Sequence, residues 1–206
     1  ADFEVDIEDT QAPTWTTVAG NLDRTVECSD AAALAAAQAL FPVASDNCDG
    51  DVTDIVKTAG AFVAGGACSQ AGTYTNTWVV TDECGNTSLA YTQVITVEDN
   101  TAPVVDQAAN ALDATLECDD AAGLTAALAL EPTFTDNCDA TLSVVLSSDI
   151  STQTSDGSCT DFSYTRTRQW TSTDECGNTS LAYTQVITVE DNTAPVVDQA
   201  ANALDA

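Results

Sequence analysis

The chain has 206 residues, 44% of them hydrophobic, enough for one large core or two of about 100 residues each. Its 33 acidic side chains face only Arg24, Lys57, Arg166 and Arg168, and the resulting charge of −29 excludes direct binding to nucleic acid or insertion into an anionic membrane. Histidine is absent and the eight cysteines include no CxxC pair, which argues against zinc and for disulfides in an oxidising, extracellular compartment.

The opening "ADFEVDIEDTQAP" aligns with the later "AYTQVITVEDNTAP", so residues 1–9 are expected to be the last strand of a preceding unit. A first strand is expected at 22–28. In "SDAAALAAAQALFP" Asp30 is placed to cap a helix, alanines favour it and Pro42 follows its end. Leu34, Ala37 and Phe41 recur at helical spacing, as one face covering an open end of a sandwich. Strands follow at 52–58, at 73–82 ("TYTNTWVV") and at 88–98 ("SLAYTQVITV"), each alternating in polarity. Trp78 is expected in the core.

The same order then recurs. Asp120 and Pro132 bracket a second helix, "FSYTRTRQWTST" places Arg166 and Arg168 on one strand face, and Trp170 takes the place of Trp78. Residues 81–114 reappear letter for letter at 173–206. The pattern predicts an all-β fold of tandem immunoglobulin-like β-sandwich repeats, each with one short inserted α-helix. Its units are 10–99 and 100–191, with 192–206 starting a following repeat.

Strand directions predict the cysteine pairing. If the last strand runs from the entry end of a unit to its exit end, Cys28 and Cys68 lie at the exit and Cys48 and Cys84 at the entry. The expected bridges are Cys28–Cys68, Cys48–Cys84, Cys118–Cys159 and Cys138–Cys176, one of three connectivities open to each unit.

The same placement gathers acids and amides at each entry end. In unit one these are Glu8, Asp9, Asp46, Asn47, Asp49, Asp82, Glu83 and Asn86. In unit two they are Glu98, Asp99, Asn100, Asp136, Asn137, Asp139, Asp174, Glu175 and Asn178. Two carboxylates about 4 Å apart repel by roughly 4 kcal/mol at an effective dielectric near 20, so a convergent set calls for a cation. Calcium suits six to eight such oxygens, whereas magnesium demands a tighter octahedron. The competing reading is a row of Asx turns on a solvated acidic surface. "DNCDGD" is not an EF-hand loop, because Cys48 and Gly50 stand where side-chain oxygens belong. Thr10 replaces the Asn found at 100 and 192, so the first junction is expected to bind differently or more weakly.

"VEDNTAPVV" resembles the calcium-binding linkers of cadherins. More closely, "TDNCD…TDECGNTS…ITVEDNTAPVV" resembles hyalin-type immunoglobulin-like repeats, known from long surface adhesins of gliding bacteria. The resemblance implies an extracellular repeat array, a stalk or fibre for cell adhesion, with neighbouring repeats as partners and no catalytic residues. The alternatives are a self-assembling filament, with identical chains joined head to tail, and a carbohydrate-binding array with a surface or glycan ligand. Against the last stands Trp15, the one tryptophan outside the strand pattern, which becomes Val105 in the next copy.

Overall fold

A computed structural model describes residues 4–50 and 52–196. The first repeat carries β1 (Thr14–Trp15), β2 (Arg24–Glu27), α1 (Ala31–Gln38), β3 (Ala44–Ser45), β4 (Ile55–Thr58), β5 (Val63–Gly65), β6 (Cys68–Val80) and β7 (Tyr91–Glu98). The second carries β8 (Val104–Val105), β9 (Ala114–Glu117), α2 (Ala121–Leu128), β10 (Phe134–Thr135), β11 (Ser143–Ser151), a short 3-10 turn (Cys159–Asp161), β12 (Tyr164–Thr173) and β13 (Tyr183–Glu190). The protein is thus built of tandem all-β repeats with one short helix each. No helix among the described residues is long and apolar enough to cross a membrane.

Each repeat sets a main sheet beside a two-stranded one. The main sheets run β2-β7-β6-β4, with β5 also on β6, and β11-β12-β13-β9; the small ones are β1-β3 and β10-β8. β2 lies parallel to β7, while β6 is antiparallel to both β7 and β4. These are the directions expected from the sequence.

Alternation selects the core. In β7, Tyr91, Gln93, Ile95 and Val97 point inward and the residues between them are more exposed, as the two-residue period of a half-covered strand requires. Trp78 and Tyr91 pack with Leu22, and Trp170 and Tyr183 with Phe134. Each such aromatic contributes roughly 2–3 kcal/mol through burial.

The helices start where their caps stand: Asp30 accepts a hydrogen bond from the Ala33 amide and Asp120 from that of Gly123. Ala37 is buried and Leu34 packs on Val26 and Ile95. Phe41 departs from the expected helical face. α1 closes at Gln38, before Pro42, so Phe41 falls outside the helical register, 49% exposed and edge-on to Trp78 at 5.9 Å.

Two compact units divide the chain. One comprises Ala1–Ala102 with the loops Asp136–Thr141 and Asp174–Asn178; the other holds Pro103–Thr135, Leu142–Thr173 and Thr179–Ala206. The "DNCD" and "DECGN" loops of the second repeat therefore belong to the first unit. The strand expected over residues 1–9 is not formed at residues 4–9, since no described strand lies beside them to pair their backbone groups; residues 1–3 fall outside the described part. Of the following repeat expected at 192–206, residues 192–196 have no regular structure and the remainder lie outside the described residues.

Candidate metal centre

Within the first unit, the carboxylates of Asp99, Asp136 and Asp174 each bring an oxygen to within 4.8 Å of the others. Asp99 follows the end of β7, and the other two open the loops contributed by the second repeat. Local turns hold them. Asp136 Oδ1 accepts from the amides of Cys138 (2.9 Å) and Asp139 (3.0 Å), and Asp174 Oδ1 accepts from the amide of Asn178 (2.8 Å). Asn178 Nδ2 links two of the three, donating to Asp174 Oδ2 (2.8 Å) and to the Asp99 carbonyl (2.9 Å).

Two oxygens remain unsatisfied. Asp99 Oδ2 and Asp136 Oδ2 are buried without a hydrogen-bond partner, and Asp99 is only 6% exposed. A buried, unpaired carboxylate oxygen is costly unless a proton or a cation completes it. The Asp99 carboxyl is accordingly pushed above the usual range, first by burial and then by the charges of Asp136, Asp174 and Glu27. The donor set is all oxygen, the chemistry a hard divalent cation requires.

The entry end of the first repeat repeats this arrangement. Asp9, Asp46 and Asp82 converge within 4.8 Å, and Asn86 Nδ2 donates to Asp82 Oδ2 (2.8 Å) and to the Asp9 carbonyl (3.1 Å). Here burial opposes ionisation of Asp82, but the side-chain and backbone hydrogen bonds from Asn86 outweigh it and hold the carboxyl below its ordinary value. At the end of the second repeat Glu117, Cys118 and Asp191 cluster likewise, in the places of Glu27, Cys28 and Asp99.

The other expected ligands make further contacts or are exposed. Asp139 is buried and braces the loops, accepting from the amides of Thr141 (2.7 Å) and Glu175 (2.8 Å). Glu175 accepts from Ser69 Oγ, Asn137 donates to Ser29 Oγ, and Asn47 lies on Cys48 Sγ. The Asp49 amide donates to Asp46, while Glu8 and Glu83 are exposed. Asn100 Nδ2 donates to Glu98 Oε2, outside the trio, so Thr10 changes an outer contact and leaves Asp9, Asp46 and Asp82 in place. Glu27 was not anticipated: it accepts from Thr101 Oγ1 (3.0 Å) and from the Asn100 amide (3.3 Å), locking the exit of β7. Its copy Glu117 at the same strand end, accepting from the Asn192 amide, was the available signal.

The disulfides correct the expected pairing. Cys28 bonds Cys138 (Cα–Cα 6.1 Å) and Cys68 bonds Cys176 (4.7 Å), both inside the first unit. Cys48, Cys84, Cys118 and Cys159 are free and exposed. The expected ends were right, with Cys28 and Cys68 beside the exit of β7. The expected partners failed because each exit-end cysteine finds an entry-loop cysteine of the next repeat, not its neighbour in the same repeat.

The four-cysteine spacing has a counterpart among known proteins. The family model described as HYR-like domain with 4 cysteines matches residues 16–97 and again 105–189. The chain belongs to this family. Among solved structures, the two HYR-like repeats are similar to fibronectin(III)-like modules of Clostridium thermocellum CbhA, at 13% identity and a TM-score of 0.25 over 90% of this chain and 98% of that one. They are also similar to the D00-D0 domain of intimin, at 15% identity and 0.22, over 74% and 91%. The chain finds no match among curated proteins.

Proposed function

We propose that these HYR-like repeats are a mechanical spacer from an extracellular adhesive array, of the kind carried by gliding bacteria, whose repeat junctions are stiffened by calcium. The observation that carries this reading is the recurrence of one oxygen trio at both entry ends, with two buried carboxylate oxygens unpartnered in the second. Calcium supplies the charge the trio lacks and accepts its irregular geometry; magnesium would keep its waters and fit such a site poorly. A strand of ten residues spans roughly 33 Å, the order of length each repeat adds. The role is structural, and no catalytic step is assigned to any residue. A sugar-binding role for Trp15 finds no support, because its indole Nε1 donates to the Leu89 carbonyl (2.7 Å) and its ring packs edge-on to Tyr91.

Calorimetry in calcium and in chelator tests the proposal. At a hundred times its dissociation constant a ligand adds about 2.7 kcal/mol, several degrees in Tm for units of this size. Asp99→Asn with Asp174→Asn should reduce the shift of the unit carrying that trio, leaving only the part due to Asp9, Asp46 and Asp82 in the same unit. Equal Tm in calcium and chelator would overturn the proposal, and an equal response to magnesium would replace the ion.

A further inference from the structure

We infer that Cys118 and Cys159 form disulfides with the Cys48 and Cys84 positions of a neighbouring repeat, so that successive repeats of the array are joined by paired covalent bridges. The inference rests on the reading of the chain as part of a repeat array and gives that array its linkage.

The cysteines of the two repeats occupy equivalent positions. Cys118 and Cys159 stand where Cys28 and Cys68 stand in the first repeat, at offsets of 90 and 91 residues; Cys48 and Cys84 stand where Cys138 and Cys176 stand in the second, at offsets of 90 and 92. Every cysteine with a following or preceding repeat available bonds to it: Cys28 to Cys138, Cys68 to Cys176. None takes the partner nearer in sequence, since Cys28 does not bond Cys68 and Cys138 does not bond Cys176. The other four cysteines, Cys48, Cys84, Cys118 and Cys159, hold the same positions in their repeats, and all four are free and exposed.

Their surroundings match as well. Glu117 and Asp191 flank Cys118 as Glu27 and Asp99 flank Cys28. Asp9, Asp46 and Asp82 act on Cys48 from the trio equivalent to Asp99, Asp136 and Asp174. The chemistry is thiol–disulfide exchange. One oxidised dithiol donor is consumed per bridge: Cys118 Sγ and Cys48 Sγ form a bond, the donor's S–S bond breaks, and its two sulfurs leave as thiols carrying the two protons.

The test is incubation of the reduced and refolded chain with oxidised glutathione at mildly alkaline pH, in chelator so that the result is independent of any cation. Non-reducing electrophoresis should give a ladder at multiples of the chain mass, and peptide mapping should find Cys118–Cys48 and Cys159–Cys84. The double variants Cys118→Ser/Cys159→Ser and Cys48→Ser/Cys84→Ser should each stay monomeric alone and give dimers, without higher species, when mixed. Bridges Cys48–Cys84 or Cys118–Cys159 within one chain would overturn the inference. So would dimers of either double variant alone, or a monomer with all four thiols still open to alkylation. A ladder without a calcium-dependent Tm would leave the linkage standing and remove only the ion.

Discussion

The two repeats solve one problem with different residues. In each, the last helical turn presents carbonyls that no helix partner satisfies, close to a buried tryptophan. In the first repeat Lys57 on β4 donates to the Gln38 carbonyl and lies 5.2 Å from the centre of the Trp78 ring. In the second, Arg168 on β12 donates to the carbonyls of Leu128 (3.0 Å) and Leu130 (3.3 Å), 4.5 Å from the Trp170 centroid. Register shows the exchange: Leu146 faces Trp170 where Lys57 faces Trp78, and Asn76 faces Gln93 where Arg168 faces Gln185. Gln93 and Gln185 keep their roles, donating to Ala37 and Ala127 carbonyls in turn. The demand comes from the helix end and the ring face, which both attract positive charge, and either neighbouring strand can meet it.

The largest expected effect breaks that exchange. Arg168 is 6% exposed, so Arg168→Met strands the Gln185 side-chain oxygen and the carbonyls of Leu128 and Leu130 and should cost the second repeat about 3 kcal/mol. Lys57 is only half-buried, and Lys57→Met should cost about 1 kcal/mol. Arg168→Asn with Leu146→Lys, which transplants the first repeat's arrangement, should recover most of the loss. Hydrogen exchange resolved by repeat reads both; equal costs for the two single variants, or no recovery in the double, would show that the two cations are not equivalent solutions.

The comparison also shows what a single chain of letters carries. Trp78 and Trp170, the Asp30 and Asp120 caps and the strand directions were legible because each follows from local pattern: alternation, a capping residue, a proline stop. Lys57 and Arg168 were not, since their equivalence exists only once strands pair. The acidic ends were legible as a class, but composition could not separate Asp99, Asp136 and Asp174 from Asp139, whose carboxylate is consumed by two loop amides. The cysteine ends were legible and the partners were not. Spacing along the chain suggests partners within one repeat, whereas the loops that complete the first unit come from the second.

A smaller effect separates the edges of the two main sheets. Gly60 sits so close to β6 that an added Cβ would lie 2.1 Å from the Thr75 carbonyl oxygen, and its amide donates to Asn76 Oδ1 (3.2 Å). Gly60→Ala must push these apart and should destabilise the first repeat by about 2 kcal/mol. The second repeat has a continuous β11 with an irregularity between Leu146 and Ser148, and Ser147 there is exposed. Ser147→Ala should shift stability by less than about 0.5 kcal/mol. Thermal unfolding of the two variants side by side checks this, and a tolerated Gly60→Ala would mean that the β5 edge moves freely.

The smallest effect belongs to an ion pair that, among the described residues, only the second repeat has. Asp149 on β11 accepts from Arg166 Nε (2.7 Å) and Nη2 (2.8 Å), and Arg168 Nε lies 3.7 Å away. The hydrogen bond from Arg166, stronger than the opposing burial, holds the Asp149 carboxyl below its ordinary value. A group whose pKa is lowered on folding stabilises the fold above its unfolded value, near 3.9 for Asp, and loses that contribution as pH falls through the folded value. The pair is partly exposed and screened by solvent, so Asp149→Asn should cost the second repeat about 0.5 kcal/mol at neutral pH. The gap between variant and parent should narrow as pH drops below about 4 and close at lower pH, while the first repeat, which has no counterpart to Arg166, stays unaffected by the substitution. A gap that persists unchanged into acid would place the effect of Asp149 in packing, and the two repeats would then differ in shape at this edge instead of charge.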